Sequence, residues 1–194
     1  MNKQGLLMIV SGASGAGKGT VLKEYLSRHN DTVVSVSVTT RAPRPGEEDG
    51  VHYLFRTKEQ VREMIEAHQF LEYAEYNGNY YGTPRGPVEE LLQQGKNVVL
   101  EIDIQGARQV MERESNRVTV FIMPPSAETL ERRLRGRGTE TEEQIQNRLA
   151  IAKTEMEQSS LYDHVVINDD LEEAVCCLEQ IIAEEKQKRG MSAE

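Results

Sequence analysis

The sequence predicts an α/β protein whose parallel sheet is covered by helices on both faces. Short apolar runs that suit buried strands alternate along the chain with segments of helical periodicity. The 194 residues, 38% of them hydrophobic and 28% charged, suffice for one well-buried core with small excursions. They do not suffice for two large independent domains.

The first elements follow from apolar runs and breaks. Residues 6–10 predict a buried strand, and a helix is expected over 18–29 after a glycine-rich turn. Valine alternates with serine over 33–40, which predicts one half-exposed strand. Two prolines and two glycines interrupt regular structure over 41–50, and 51–55 predicts the strand that follows.

The middle of the chain predicts a small mixed excursion. Thr57 and Gln60 have the spacing of a capping box for a helix over 58–68. A strand over 70–76 leads into Asn77-Gly78, a dipeptide typical of tight hairpin turns.

The main sheet is expected to resume after Pro84. A helix should run from there to about Gln94, and 97–103 predicts a second buried strand that ends in acidic residues. Later strands are predicted over 117–123 and 165–167. Ser126 is the cap predicted for one later helix, a further helix is expected to start near Thr141, and Asp169 or Asp170 is the cap predicted for the last helix.

Composition excludes several classes of protein. The net charge of −9 argues against a chain that binds nucleic acid or an anionic membrane through its overall field. Cys176 and Cys177 are adjacent and cannot easily bridge, which indicates reduced thiols and a cytoplasmic protein. The N-terminal apolar run is too short for a signal peptide or a membrane span. Any phosphate ligand must therefore be held by local groups.

A phosphate-binding loop is predicted between the first strand and helix. The segment from Gly12 to Lys18 fits G-x-x-x-x-G-K, in which glycines turn backbone N–H groups toward phosphates and the lysine reaches the β and γ oxygens. It predicts ATP binding by Gly12, Ala13, Ser14, Gly15, Ala16, Gly17, Lys18, Gly19 and Thr20. Gly19 stands where a hydroxyl usually contacts Mg²⁺, so that hydroxyl is displaced to Thr20 and direct ligation of the metal stays open.

A second phosphate site is predicted in the irregular loop. Arg41 and Arg44 are three residues apart, expected to be exposed, and suit bidentate recognition of a phosphate. The hydroxyls of Tyr53 and Tyr81 are further donors for the same anion. Solvated charge and tyrosine packing are the alternatives that the residues themselves leave open.

Long strings after the phosphate loop carry a family resemblance. The strings TTRAPRPGEEDGVHYLF, FLEYAEYNGNYYGTP, EIDIQGA, RLRGRGTET and VINDD occur in this order, and over nearly its whole length the chain resembles bacterial guanylate kinases. The resemblance implies a P-loop NTPase core over 1–36, 84–125 and 151–194, a GMP-binding region over 37–83 and a helical lid over 126–150. It implies transfer of the γ-phosphate of ATP to GMP and to dGMP, with Mg²⁺, for guanine nucleotide synthesis and recycling. The oligomeric state is not fixed.

The resemblance also implies roles for residues on the acceptor side. Arg41, Arg44, Tyr53 and Tyr81 would hold the GMP phosphate, while Ser37, Glu72 and Thr83 would contact guanine. Guanine presents N1–H beside an exocyclic amine, two donors that one carboxylate accepts together, whereas adenine presents an acceptor at N1. Glu72 is therefore the predicted selectivity residue. Without the resemblance, an exposed strand glutamate is the plainer interpretation.

Acidic and amide side chains follow two predicted strands. Glu101 and Asp103 lie two apart, so that on a strand both would face one side of the sheet at its carboxyl end. The resemblance implies that these positions lie near GMP and the water shell of the metal, and which residue dominates stays open. Charged strand-end residues are the alternative. Asn168 is implied to contact adenine.

Arginines crowd one end of the predicted lid helix. Arg133 and Arg137 share a helix face, and with Arg148 they are predicted to swing over the nucleotides. Together with Lys18 they are the predicted catalytic residues. A solvated basic helix is the alternative. No general base is predicted, because a nucleotide phosphate with a second pKa of about 6 is already largely the dianion at neutral pH.

The sequence leaves two rival functions. Guanylate-kinase-like domains of membrane scaffolds bind phosphopeptides without catalysis, but the intact phosphate loop with Lys18 argues against that class. The stretch Gly17-Lys18-Gly19-Thr20 also resembles adenylate kinases. Glu72 and the loop that contains Arg41 and Arg44 favour GMP over another nucleotide.

Overall fold

The computed structural model describes residues 4–136 and 141–191. The chain divides into two units. The first unit comprises Met1–Leu7 and Asp31–Arg117, and the second comprises Met8–Asn30 and Val118–Glu194. The three-part division predicted above stays a prediction.

The described residues form nine strands, seven α-helices and one 3-10 helix. The strands are β1 Leu7–Gly12, β2 Thr32–Val34, β3 Val38–Thr39, β4 Leu54–Phe55, β5 Phe70–Tyr76, β6 Asn79–Pro84, β7 Asn97–Glu101, β8 Val118–Met123 and β9 His164–Ile167. The helices are α1 Lys18–Arg28, α2 Lys58–Glu66, α3 Arg85–Gln93, α4 Ile104–Arg113, α5 Ala127–Gly136, α6 Glu142–Met156 and α7 Leu171–Lys188, with a 3-10 helix at Glu157–Leu161. Within the described ranges, none of these helices is long and apolar enough to cross a bilayer.

The second unit contains parallel strands and helices. β8 pairs in parallel with both β1 and β9, and α1 packs against α7. Met8, Ile9 and Phe121 are fully buried, as expected for strands covered on both faces. The parallel sheet predicted from the apolar runs is therefore confirmed. β1 ends at a glycine because a Cβ at Gly12 would lie 2.0 Å from the carbonyl oxygen of Ile122.

The first unit contains a parallel pair and a mixed sheet. β2 and β7 pair in parallel, while the mixed sheet has the order β4-β3-β6-β5. The hairpin of β5 and β6 turns at Asn77 and Gly78, whose φ values of 48° and 72° are the left-handed pair that a type I′ turn requires. The mixed sheet packs with α2 around Val38, Val61 and Phe70, which are buried.

Several local signals are confirmed. The capping box of Thr57 and Gln60 is present with both of its hydrogen bonds, and Thr141 begins α6 with a second capping box. Ser126 Oγ accepts a hydrogen bond from the Thr129 N–H at the start of α5. Asp170, the second of two predicted caps, is the one that caps α7.

Three predictions about elements are wrong. The single strand expected over 33–40 is two short strands in separate sheets, because the chain leaves one sheet and enters another between Val34 and Val38. The strand expected over 51–55 is reduced to Leu54–Phe55. The strand expected over 97–103 ends at Glu101. In addition, α4 was not predicted, although Ile104, Ala107 and Val110 form its buried stripe.

Candidate active site

The glycine-rich loop between β1 and α1 has the backbone of an anion cradle. Gly15 and Gly17 have φ values of 86° and 87°, which favour glycine, and Gly17 is the N-cap of α1. No side chain caps this helix start, and the Thr20 N–H in its first turn donates to the carbonyl oxygen of Gly17 at 3.0 Å. A Cβ at Gly17 would also lie 2.6 Å from Nδ2 of Asn168. The loop therefore joins a strand to an uncapped helix N-terminus, the arrangement that binds phosphate.

Lys18 lies over this loop at the start of α1. Its ammonium group donates to the carbonyl oxygens of Gly12 at 2.7 Å and Ala13 at 3.3 Å. Gly19 and Thr20 follow in the first turn of α1 and are exposed. The predicted cation and the displaced hydroxyl are thus both at the loop.

Two side chains of α6 contact the loop at Ser14. The Ser14 N–H donates to Oε2 of Glu155 at 2.7 Å, and its hydroxyl accepts from Arg148 at 3.1 Å. Sequence reasoning identified Arg148 but missed Glu155. The signal was their separation of seven residues, which places both on one face of a helix. A loop N–H that already binds a carboxylate is oriented for an anion.

Asn168 contacts the glycine-rich loop, and Arg133 contacts Asn168. The side-chain amide of Asn168 is buried and donates to the carbonyl oxygen of Ala16 at 2.7 Å. Arg133 donates to the carbonyl oxygens of Asn168 at 2.8 Å and Asp169 at 3.1 Å. Arg133, a predicted catalytic residue, is therefore adjacent to Asn168, the residue predicted to contact adenine.

The other lid arginines differ from one another. Arg135 forms ion pairs with Glu131 and Glu142, as the alternative of a solvated basic helix supposes. Its hydrogen bonds lower the pKa of Glu142 to about 2. Arg132 is exposed. Arg137 lies outside the described residues.

The predicted acceptor-phosphate site lies in the first unit, around Arg41. Its guanidinium group lies 5.4 Å from the ring centroid of Tyr53, and the rings of Tyr53 and Tyr81 meet edge to face at 6.2 Å. The Arg41 side chain is only 17% exposed, so the expectation that it is exposed is wrong. The expectation is right for Arg44.

Glu47 occupies the donors of this site. It accepts two hydrogen bonds of 2.9 Å from Arg41 and one of 2.7 Å from the Arg44 N–H. These bonds lower the pKa of Glu47 from 4.5 to about 2. An anion thus already binds where a phosphate is predicted. Sequence reasoning missed Glu47, although it follows Arg41 by six residues across the Pro45-Gly46 turn.

Glu72 is buried and paired with a hydroxyl. Its exposed fraction is 5%, and its Oε1 accepts from the Thr83 hydroxyl at 2.7 Å. The alternative of an exposed strand glutamate is therefore wrong. Burial raises the pKa of Glu72 above its ordinary value of 4.5, although the hydrogen bond from Thr83 acts in the opposite direction. The carboxylate is desolvated and retains the capacity to accept further hydrogen bonds.

The remaining acceptor residues lie at element ends. Ser37 precedes β3 and is partly buried, and its carbonyl oxygen accepts from the Leu54 N–H at 2.8 Å. Glu101 is exposed at the end of β7. Asp103 is also exposed, but it is not in the strand as expected. Its Oδ1 accepts from the Gly106 N–H at 2.8 Å, because Asp103 is the N-cap of α4.

The sequence predicted two oxygen ligands for a metal bound with a nucleotide. Over residues 4–136 and 141–191, no group of three or more acidic, histidine or cysteine side chains is placed to hold an ion. The predicted ligands are the Thr20 hydroxyl and the Asp103 carboxylate. Mg²⁺ prefers such oxygen ligands, and it usually takes few of them from protein and the rest from phosphates and water.

The chain is similar to guanylate kinases in sequence and structure. The family model for guanylate kinase matches residues 4–185. A guanylate kinase of Clostridium perfringens (strain SM101 / Type A) is 50% identical over 185 residues, 95% of this chain and 86% of that protein. One of Desulfitobacterium hafniense (strain Y51) is 52% identical over 182 residues, 94% and 91% of the two chains. The crystal structure of guanylate kinase from Anaplasma phagocytophilum is 35% identical, with a TM-score of 0.73 over 95% of this chain and 87% of that chain.

Proposed function

The chain belongs to the guanylate kinase family, and from this premise we propose that it transfers the γ-phosphate of ATP to GMP or dGMP. The products are ADP and GDP or dGDP, and the role is guanine nucleotide synthesis and recycling. The predicted site contains no residue that must exclude the deoxyribose of dGMP. We place the reaction in the cytoplasm, which the two free cysteines support.

The buried Glu72 carboxylate carries the assignment of the acceptor. A desolvated carboxylate is unfavourable unless hydrogen bonds compensate it, and the structure supplies one side-chain bond to it, from Thr83. The N1–H and exocyclic amine of guanine are two adjacent donors that match the remaining capacity. Adenine would instead place its N1, a hydrogen-bond acceptor, against an oxygen of the Glu72 carboxylate, which is also an acceptor. This contrast supports GMP rather than AMP as the substrate.

The acceptor phosphate is assigned to the cluster of Arg41, Arg44, Tyr53 and Tyr81. The carboxylate of Glu47 supports this assignment, because it accepts from Arg41 with the fork geometry that a phosphate also satisfies. The arginine is therefore preorganised before the nucleotide binds. In this proposal, Ser37 and Thr83 complete the contacts to the base. Glu101 and Asp103 are further residues of the GMP site.

The donor phosphates are assigned to the loop from Gly12 to Thr20. The left-handed glycines, the uncapped start of α1 and the Lys18 ammonium group all favour an anion there. Asn168 would contact adenine beside the loop carbonyl that it already binds. Arg133 and Arg148 would exchange their present oxygen partners for phosphate oxygens, and Arg137 would join them.

Transfer proceeds by one displacement at phosphorus. An oxygen of the GMP phosphate attacks the γ-phosphorus, a new P–O bond forms, and the bond to the β-phosphate oxygen breaks with its electron pair leaving on ADP. The acceptor is a dianion at neutral pH, so no protein base is required. The protein's own contribution is to align two anions that repel each other and to stabilise the charge of the transferring group with Lys18 and the arginines. Mg²⁺ bound with ATP, near Thr20 or Asp103 through water, would neutralise phosphate charge.

An acceptor panel tests the proposal. ADP formation from ATP and Mg²⁺ would be measured with GMP, dGMP, AMP and UMP, for the parent chain and for Glu72→Gln. We expect turnover confined to guanine acceptors and weakened in the variant. Turnover with AMP or UMP would overturn the acceptor site, and no turnover with any acceptor would favour a binding module. Lys18→Ala is the control for the donor loop, and it should lose activity by orders of magnitude while the protein stays folded.

A further inference from the structure

One face of α4 packs along β5, the strand that carries Glu72. Gly106, Gln109 and Arg113 are spaced by three and four residues, so they lie on the same face of the helix. All three approach β5 or the Glu72 carboxylate. None of them belongs to the residues assigned above to substrate.

The side chains of α4 replace a missing neighbour of β5. This strand is at the edge of the mixed sheet, so its outward backbone groups have no strand partner in that sheet. The Gln109 amide satisfies both outward groups of Tyr73, accepting from its N–H at 3.3 Å and donating to its carbonyl at 2.9 Å. Arg113 donates to the carbonyl of Leu71 at 3.2 Å. The residues before and after Glu72 are therefore both held by α4.

Leu71 is also the site of a β-bulge. Phe70 lies opposite Pro84 and Glu72 lies opposite Thr83, so Leu71 is an extra residue in β5. A bulge leaves a residue unpaired and changes the direction of the neighbouring side chains. The bond from Arg113 stabilises the bulge that directs Glu72 toward Thr83.

Gly106 leaves the space that the Glu72 carboxylate fills. A Cβ at this position would lie 2.7 Å from Oε2 and 3.1 Å from Cδ of Glu72. Gly106 is buried in the first turn of α4, and alanine is otherwise the better helix residue. Glycine is therefore explained at this position by the Glu72 carboxylate, which occupies the space of a side chain. The helix itself would favour alanine.

We propose that Gly106 and Gln109 are positioning residues that determine specificity for guanine, because they fix the Glu72 carboxylate in space. The inference rests on the proposed function, in which Glu72 reads the base. Gly106 sets how close the carboxylate lies to α4, and Gln109 holds the strand on which it is carried. Neither residue touches the reacting phosphates.

The first test compares Gly106→Ala with the parent chain, using GMP and IMP as acceptors. Hypoxanthine keeps N1–H but lacks the exocyclic amine, so GMP gains more than IMP from a well-placed carboxylate. We expect kcat/KM for GMP to fall about tenfold, the ratio of GMP to IMP to fall with it, and the KM for ATP to stay unchanged. The thermal midpoint should not fall, since the group that must move is the flexible end of Glu72. An unchanged ratio would overturn the inference.

A second variant and a control separate positioning from folding. Gln109→Ala should lower the GMP to IMP ratio, and Gln109→Glu, which cannot donate to the Tyr73 carbonyl, should lower it as well. Glu112→Ala, on the same helix at an exposed position, should leave the ratio unchanged. Equal losses for both acceptors in Gln109→Ala would indicate a purely structural role and overturn the inference for Gln109.

The Glu72→Ala background distinguishes this inference from the proposed function. If Gly106 acts through the carboxylate, adding Gly106→Ala to Glu72→Ala causes no further loss. A full further loss would overturn the inference while leaving Glu72 as the reader of guanine. If Glu72→Ala itself keeps the preference for GMP, the guanine contact of the proposed function is wrong, and the inference fails with it.

Discussion

At the scale of single residues, two predicted groups of the GMP site, Arg41 and Glu72, differ in whether a charged side chain already binds them. Arg41 is already bound by a carboxylate, whereas Glu72 is desolvated and has one hydroxyl donor among the side chains described. Guanine would therefore relieve an electrostatic cost at Glu72, while phosphate would have to enter a site where Glu47 is bound. The difference leads to separate predictions for the two carboxylates.

The raised pKa of Glu72 predicts a pH dependence of stability. Because burial raises the folded-state pKa, the fold favours the protonated carboxyl; its contribution is fully present below the unfolded value and is lost as pH rises through the folded value. Glu72→Gln stays neutral, so without nucleotide the variant should gain stability relative to the parent as pH rises above 4.5. Urea unfolding of both proteins at several pH values measures this. A difference in the free energy of unfolding between the two proteins that does not change with pH would contradict the prediction.

Glu47 predicts a loss of acceptor affinity when its charge is removed. Its carboxylate joins the Arg41 side chain to the Arg44 backbone, so Glu47→Ala should disorganise the phosphate site and raise the KM for GMP about tenfold, with a smaller change in kcat. Glu48→Ala changes an exposed neighbouring glutamate and is the matched control. A lower KM in Glu47→Ala would instead show that Glu47 competes with the phosphate.

At the scale of elements, local sequence signals predicted those structures that depend on neighbouring residues. The capping box at Thr57, the start of a helix near Thr141 and the turn at Asn77-Gly78 are set within a few residues, and all are confirmed. The break between β2 and β3 was not predictable, because the alternation of valine and serine does not indicate which sheet a strand joins. α4 was missed because polar residues and Gly106 interrupt its apolar spacing.

The same distinction applies to the candidate site. The phosphate loop is a continuous string whose geometry follows from its glycines, so it could be predicted directly. The pairing of Glu72 with Thr83, by contrast, depends on a bulge and a hairpin, and the contact of Glu155 with Ser14 joins residues 141 positions apart. Gly106 and Gln109 were missed for the same reason, since their role depends on how α4 packs against β5.

The end of α7 predicts an acid-sensitive contribution to stability. Burial of Glu185 alone would raise its pKa, but hydrogen bonds from Lys188, Arg189 and His164 lower it to about 2. A depressed folded-state pKa stabilises the protein above the unfolded value, and that contribution is lost as pH falls from about 4.5 toward 2. Glu185→Gln should therefore lower the free energy of unfolding at neutral pH by about 1 to 3 kcal/mol.

Chemical unfolding at pH 7 and at acid pH checks this prediction. Glu184→Gln, at an exposed position of the same helix, is the matched control and should change stability little. The difference between Glu185→Gln and the parent should shrink as pH falls. A difference that is independent of pH would assign the loss to packing rather than to charge.

At the scale of the whole molecule, an acidic chain must bind two polyanions. The net charge of −9 gives no general attraction, so affinity must come from the local cationic groups and N–H groups around the phosphate loop and around Arg41. These groups belong to different units of the chain. Direct transfer nevertheless requires both nucleotides to be held at once with their phosphates in line.

A ligand that contains both nucleotides tests this requirement. Adenosine and guanosine joined through five phosphates should raise the thermal midpoint more than ATP and GMP together, because binding of the second base becomes intramolecular. Stabilisation at about 100 times the Kd is about 2.7 kcal/mol, and about 2–4 °C is expected per kcal/mol in a chain of this size. Diadenosine pentaphosphate is the control ligand, and it should stabilise less because Glu72 disfavours its second base. Equal shifts for the two compounds, or a shift no larger than that of ATP alone, would mean that the guanine site and the phosphate loop do not act on one ligand.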